Sequence, residues 1–183
     1  IKATVFRIDN PSTPQENEVE IKSGDANHLV VMPPKFALPA GSSKTVRFVA
    51  MEPEQKEKNY RVKFEAVPSI DDVATDKKDL SMQLTVNLIW GIVVSVPPQQ
   101  PIAKLEVSPA QKLLNAGNQR LKILTIAYCK NNSKNNCKIQ TVNKNIFPGQ
   151  ERSLEGISGY DKIVVKYNNW ITKDNGEFEL AVH

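Results

Sequence analysis

The sequence has few of the residues on which enzyme active sites depend. Only two histidines occur in 183 residues, His28 and His183, so a serine or cysteine nucleophile would need one of them as its base. His28 follows Asn27 in a polar segment that is typical of a solvated loop. No G-x-S-x-G, Walker or G-x-G-x-x-G motif is present. The sequence therefore predicts a protein that is not an enzyme, with no catalytic residue and no cofactor.

Cysteine is equally scarce. The two cysteines, Cys129 and Cys137, flank a polar stretch of Lys, Asn and Ser, and two thiols without nearby histidines cannot form a typical four-ligand zinc site. We therefore expect no metal site. The strand-like flanks of the stretch are typical of a hairpin, which a disulfide could join at its base. A disulfide is favoured over a free pair, and it would indicate an oxidising compartment such as a periplasm or the extracellular space.

Long hydrophobic runs and strong charge are absent as well. No window approaches the roughly 20 apolar residues of a membrane-spanning helix, so we expect no membrane insertion. The net charge of +4 comes from basic residues dispersed among acidic ones, without the basic stripe and interleaved aromatics that indicate nucleic-acid binding. The chain opens directly on an alternating segment and shows no signal peptide. This predicts a processed protein, or one whose N-terminal part is missing.

What the sequence does contain is short alternating runs, bounded by Pro, Gly, Asn and Asp. This pattern is typical of an antiparallel β-sandwich. The segment Asp174-Asn175-Gly176 predicts a tight hairpin, since Asn and Gly tolerate positive φ. The prolines of 97–101 stiffen a connection and predict two domains, 1–98 and 101–183. The predicted strands besides the longest one are 2–8, 18–22, 29–32, 44–50, 60–67, 104–107, 120–127, 138–142, 162–167 and 177–182.

The longest alternating segment runs from Leu80 to Pro98. Its first half has a polar back, formed by Gln83, Thr85 and Asn87. An apolar front on an edge strand is an aggregation hazard unless a partner covers it. Two interpretations are open: a long central strand of a sandwich, or a strand lent to another protein by β-augmentation. The apolar front consists of Leu84, Val86, Leu88, Trp90, Ile92, Val94 and Val96.

Two arginines, Arg47 and Arg61, interrupt alternating apolar runs. The simplest interpretation is a charged side chain that points outward from a strand. The alternative is that one of them pairs with Glu65 or Asp161 near a crevice between the domains, where such a pair would set orientation more than stability.

Several segments together resemble the periplasmic chaperones of chaperone–usher pili. The matching segments are 30–41 (VVMPPKFALPAG), 44–48 (KTVRF) and 60–68 (YRVKFEAVP), and the long strand ending at Pro98 stands where that family has its donor strand. In the second half, 115–118 (NAGN), the cysteine pair and Pro148-Gly149 also match. The resemblance covers essentially the whole chain. Within the family, the sequence is similar to the alternate branch, which serves colonisation-factor fimbriae of enteric bacteria.

The resemblance implies an all-β fold of two immunoglobulin-like β-sandwich domains in an L or boomerang arrangement. It implies a periplasmic chaperone that caps pilin subunits by donor-strand complementation and delivers them to an outer-membrane usher. The free protein could self-associate through the same strand. By position, the subunit-binding residues would be Leu84, Val86, Leu88, Trp90 and Ile92.

Two features depart from the family pattern. Basic residues hold the subunit's terminal carboxylate in the family, one of them in the donor strand, yet 89–96 contains no Lys or Arg. Arg61 or Lys63 is therefore the candidate anchor, and Arg47 is carried over by motif position as an interdomain residue. The chain also starts where the family is already in about its third strand, so we expect the first strands to be missing.

A second functional class stays open, a structural fimbrial or adhesin-type sandwich of a surface fibre. A pilin would need an alternating extension at its N-terminus. The longest alternating run here lies instead at the end of the first predicted domain, which favours the chaperone.

Overall fold

A computed structural model describes residues 1–22, 25, 29–51, 54–67, 88–130 and 136–182. That part of the chain contains strands and no helix, and so no helix that could cross a membrane. The all-β prediction is confirmed. The strands are β1 Lys2–Asp9, β2 Asn17–Glu20, β3 Leu29–Met32, β4 Arg47–Ala50, β5 Lys58–Glu65, β6 Ile89–Val96, β7 Leu105–Val107, β8 Lys112–Asn115, β9 Leu121–Cys129, β10 Cys137–Ile146, β11 Glu151–Ser153, β12 Lys162–Asn169 and β13 Asn175–Ala181.

The chain forms two compact units. The first consists of Ile1–Glu52 and Asn59–Ser95, and the second of Pro53–Lys58 and Val96–His183. The short segment that links β4 to β5 thus belongs to the second unit, although the strands on either side of it belong mainly to the first.

In the first unit, one sheet has the order β2-β1-β5-β6, and β3 pairs with β4 in a separate antiparallel hairpin. The alternation of β5 explains why this sheet packs on one face. Tyr60 and Val62 are 2% and 0% exposed. Arg61 and Lys63, which alternate with them along β5, have side chains that are about one-third exposed. Because successive strand residues point to opposite faces, β5 separates an apolar layer from a charged one.

In the second unit, the sheets have the orders β10-β9-β12-β13 and β11-β8-β7. The strands enclose a core whose centre is fully buried. Cys129 pairs directly with Cys137 across β9 and β10, and the two form a disulfide, so the predicted staple at the base of this hairpin is confirmed. The fully buried aliphatic residues of the core are Leu113, Leu121, Ile123, Ile126, Ile163 and Val165.

A buried carboxylate joins the segment Pro53–Lys58 to the rest of the second unit. The side chain of Glu57 is 0% exposed, and its Oε2 accepts hydrogen bonds from the Arg120 backbone N–H at 2.7 Å and from Trp170 Nε1 at 2.9 Å. The guanidinium of Arg120 lies 4.5 Å from the centre of the Trp170 ring. Burial of a carboxylate is tolerated only with such partners.

One turn prediction is wrong. Of the segment Asp174-Asn175-Gly176, only Asp174 lies in the turn, because Asn175 and Gly176 already pair with Asn168 and Tyr167 in the β12–β13 ladder. The hairpin turns through 170–174, where Lys173 supplies the positive φ of 65°. Gly176 instead makes room for an aromatic ring, since an added Cβ would lie 2.4 Å from the Tyr167 Cζ.

A second glycine is required by a close approach of two backbones. Gly117 donates its N–H to the Lys104 carbonyl at 3.1 Å, and Asn118 donates to the Ile102 carbonyl at 3.1 Å. An added Cβ at Gly117 would lie 2.3 Å from the Ile102 carbonyl oxygen. That oxygen belongs to the backbone and cannot rotate away.

We therefore expect Gly117→Ala to destabilise the second unit by about 1–3 kcal/mol, as overpacking does elsewhere. Urea denaturation monitored by far-UV circular dichroism measures this loss. Ala116→Ser, at the exposed neighbouring position, is the matched control and should change little. Equal stability of the two variants would contradict the close approach.

Candidate functional site

The candidate site is the edge of the first unit's sheet at β6. This strand is last in the order β2-β1-β5-β6, and no strand of the described residues pairs with its outer side. An edge strand presents a row of unpaired N–H and C=O groups to which another chain can add. Among the described strands, β6 thus lies at the edge of the sheet, as the interpretation of a strand lent to a partner requires.

The exposed apolar residues of this edge define what we call the β6 patch: Leu88, Ile89, Trp90, Ile92 and Val93. Their exposed fractions are 55%, 52%, 56%, 42% and 56%. Exposure is confined to the first part of the strand, because residues 94–96 are half-buried. Contiguous apolar surface of this kind marks interaction sites on proteins.

The β6 patch has two faces, which the neighbouring strand identifies. The Ser95 hydroxyl donates to Asn59 Oδ1 at 2.7 Å, which places these two side chains on one face. By the alternation of a strand, Ile89 and Val93 then share the face of Arg61. Trp90 and Ile92 lie on the opposite face, where β5 contributes the buried Tyr60 and Val62.

Of the five predicted subunit-binding residues, three are among the described residues and two are not. Leu88, Trp90 and Ile92 lie in the β6 patch, whereas Leu84 and Val86 lie outside the described residues. The sequence analysis missed Ile89 and Val93. Their signal is present in the sequence, since the polar back of the segment ends at Asn87 and both faces are apolar from Leu88 to Val94, apart from Gly91.

Beside the patch, two bases and two acids form what we call the charged cluster: Arg61, Lys63, Glu16 and Glu18. Glu18 Oε1 lies 2.6 Å from Arg61 Nε, and Glu18 Oε2 lies 2.7 Å from Lys63 Nζ. The Arg61 contact is an ion pair without a directed hydrogen bond from Nε. Arg61 Nη2 also lies 3.6 Å from Glu16, and Lys63 lies 4.3 Å from the Phe6 ring centre.

The charged cluster lowers the pKa of Glu18. The main cause is the hydrogen bond from Lys63, to which the positive charges of Lys63 and Arg61 add, while partial burial opposes the shift. Arg61 and Lys63 are thus brought together by one carboxylate on β2. One carboxylate thus lies within ion-pair distance of both predicted anchor residues, and their anchor role stays a prediction.

The remaining predicted residue, Arg47, lies at the start of β4 opposite Met32 and is exposed. Its interdomain role, and the pairing of either arginine with Glu65 or Asp161, stay predictions. Among the described residues, no three His, Cys, Asp or Glu side chains cluster closely enough to hold a metal ion.

The architecture defines the class of protein: an all-β chain of two immunoglobulin-like domains. The model of the family "Pili and flagellar-assembly chaperone, PapD N-terminal domain" matches residues 6–94. The chain is 35% identical to a CFA/I fimbrial subunit of Escherichia coli, over all of this chain and 79% of that protein. It is 36% identical to a CS1 fimbrial subunit of E. coli, over 81% of this chain and 65% of that protein.

Solved structures agree with these relatives. The chain superposes on "Class 5 Fimbriae Chaperone CfaA" with a TM-score of 0.81 and 29% identity, over all of this chain and 85% of that one. It superposes with a TM-score of 0.78 and 30% identity on a chain of the structure described as "Chaperone-tip adhesin complex is vital for synergistic activation of CFA/I fimbriae biogenesis", over 98% and 83% of the two chains. The protein belongs to the pilus-assembly chaperone family, in the branch that serves colonisation-factor fimbriae. This family is not enzymatic, as the sequence predicts.

The charged cluster predicts a pH dependence of stability. A carboxyl with a lowered folded-state pKa stabilises the fold above its unfolded pKa, about 4.3 for Glu, and loses this contribution as the pH falls through the folded value. The free energy of unfolding of wild type should exceed that of Glu18→Gln by about 0.5–1 kcal/mol at pH 7. This difference should shrink steadily below about pH 4. Urea denaturation across this range is the measurement.

The control is Glu20→Gln, an exposed glutamate on the same strand, which should show a smaller difference at pH 7. A gap between wild type and Glu18→Gln that stays constant down to about pH 2 would show that charge at Glu18 contributes nothing.

Proposed function

We propose that this protein is a periplasmic chaperone that caps fimbrial subunits by donor-strand complementation and passes them to an outer-membrane usher. The observation that carries the proposal is the β6 patch, in which five large apolar side chains are 42–56% exposed on an edge that no described strand pairs with. A soluble protein tolerates such an edge only when a partner covers it for part of its lifetime.

The energetics suit reversible capture. Pairing with the free edge satisfies main-chain groups whatever the partner's sequence, and the alternate side chains fix the register. Complete burial of an aliphatic or aromatic side chain contributes about 1.5–3 kcal/mol. Leu88, Trp90 and Ile92 would gain roughly half of this each, because each is about half exposed. Leu84 and Val86 would continue the same row toward the N-terminus, within the proposed first domain, 1–98.

The charged cluster would hold the carboxylate at the end of the captured subunit. Glu18 already shows how Arg61 and Lys63 share one carboxylate, at 2.6 and 2.7 Å. The carboxylate of a captured chain would compete with Glu18 for the same donors. When no subunit is bound, Glu18 would keep the two bases paired.

The periplasmic location agrees with the disulfide between Cys129 and Cys137, because disulfides persist in oxidising compartments. The similar proteins agree with subunit capture, since one of the superposed chains comes from a chaperone–tip adhesin complex. Transfer to an usher follows from the proposal, since a capped subunit needs an acceptor that uncovers it.

The first experiment replaces one residue of the β6 patch. Leu88→Asp places a charge in the interface that the subunit would dehydrate, so we expect capture to fall by at least about a hundredfold. The chaperone itself should stay folded, because Leu88 is 55% exposed. Co-purification of a CFA/I-type fimbrial subunit, co-expressed with this chain in the periplasm, measures capture.

Ile139→Asp is the matched control. Ile139 is 68% exposed and lies on β10, which is also an edge strand, in the second unit. Capture by Ile139→Asp should equal that of wild type. Undiminished capture by both Leu88→Asp and Val86→Asp would refute the donor strand. Recovery of the protein as a stoichiometric part of purified fibres would favour the alternative function, a structural subunit of a surface fibre.

The second experiment tests the anchor. Lys63→Met keeps the aliphatic stem and removes the charge, and a hydrogen bond to a charged group contributes about 1.5–3 kcal/mol. We expect capture to weaken about tenfold or more, with unchanged circular dichroism. Lys138→Met on β10 serves as the charge-matched control. Wild-type affinity in both Lys63→Met and Arg61→Met would exclude the charged cluster as the anchor.

A further inference from the structure

Each glycine of the described chain except one has a visible reason within the fold. Four of them have a positive φ, which an L-residue adopts only with strain. At two others, Gly117 and Gly176, a Cβ would collide with atoms at 2.3 and 2.4 Å. The four glycines with positive φ are Gly41, Gly149, Gly156 and Gly159.

Gly91 has neither reason. Its φ lies outside the positive region, and an added Cβ would meet only the Arg61 side chain, with Cδ at 3.6 Å and Cγ at 3.7 Å. These distances are ordinary van der Waals contacts, so the described part of the fold would accept alanine here. Glycine in a strand costs conformational entropy and leaves no side chain to pack. A strand glycine often marks a bulge, a tight bend, or a close approach by a ligand or another backbone, and the last of these suits a strand at a sheet edge.

The place of Gly91 is the middle of the β6 patch. On its own face the strand neighbours are Ile89 and Val93, which are 52% and 56% exposed. The missing side chain therefore leaves a notch between two apolar side chains, beside the aliphatic stem of Arg61. Such a notch can accept a bulky side chain that a flat strand surface would reject.

The second unit contains the same arrangement in a completed form. Tyr167 on β12 and Gly176 on β13 are directly paired, and the Tyr167 ring atoms lie 2.4–2.7 Å from the place where a Gly176 Cβ would be. The aromatic ring covers the cross-strand glycine and packs against Phe178 with ring centres 4.9 Å apart. Large side chains across from glycine restore the packing that the strand lacks.

We propose that the subunit strand added to β6 carries an aromatic side chain opposite Gly91, and that Gly91 selects for it. The inference rests on the proposed function, since it names a specificity determinant of the same edge. Trp90 and Ile92 on the other face would bind apolar side chains of many shapes. The notch at Gly91 would instead distinguish subunits by the size of one residue.

The experiment fills the notch in two steps. Capture of the co-expressed fimbrial subunit should weaken a few-fold with Gly91→Ala, and about tenfold or more with Gly91→Val, as overpacking predicts. Neither change should lower the melting temperature of the free chaperone. A fall in melting temperature with Gly91→Ala would show that the chain itself needs this glycine, and would overturn the inference.

A change on the partner's side identifies the occupant. Each aromatic residue of the subunit strand captured by β6 is replaced singly by Ala and tested against wild type and Gly91→Val. One such replacement should weaken binding to wild type and should restore at least part of the binding lost in Gly91→Val. The absence of any coupled aromatic residue would overturn the inference.

Leu88→Asp separates this inference from the proposed function. Loss of capture by Leu88→Asp together with wild-type capture by Gly91→Val would refute the role of the notch and leave the proposed donor strand supported. Wild-type capture by Leu88→Asp and Val86→Asp as well as by Gly91→Val would refute the donor strand itself.

Discussion

The pairing of β6 with β5 is the contact on which the candidate site depends. β5 lies inside the sheet, paired to β1 along its length, with Tyr60 and Val62 buried beneath it. This holds β6 in an extended conformation along one edge, while no strand of the described residues pairs with its other edge. A strand that is already ordered loses less conformational entropy on binding than a disordered segment would. The exposed edge is therefore preorganised rather than merely uncovered.

Such an edge carries a risk that the surrounding charges reduce. Within 89–96 there is no charged residue that could discourage pairing between copies of the chain. Charges lie on the same sheet, in the charged cluster of Arg61 and Lys63 on the neighbouring β5 and Glu16 and Glu18 at and before β2. Because the cluster is internally paired, it solvates the sheet face without a strong field of one sign. The same pairing leaves the two bases available to any stronger carboxylate.

Local alternation predicted most strands, since 29–32 is found unchanged and 2–8 and 60–67 differ by two residues or fewer at each end. β8 and β11 were not predicted, because they have four and three residues, too few for a period of two to show. The turn at Asp174-Asn175-Gly176 was misplaced because Gly176 serves tertiary packing against Tyr167. Edge position was equally beyond the sequence: the alternation of 84–96 suits a central or an edge strand, and only the sheet order separates them.

The two faces of β6 would contribute differently to the proposed recognition of a partner strand. Trp90 and Ile92 continue the buried layer of Tyr60 and Val62 beyond the edge of the sheet, so any partner strand with apolar side chains would extend that layer. The opposite face has the notch at Gly91, beside the Arg61 side chain, where by our proposal the shape of one partner side chain would decide the fit. A chaperone that must accept related subunits and reject other chains needs both properties. Because they lie on two faces of one strand, a change at Gly91 would leave the apolar face of Trp90 and Ile92 intact.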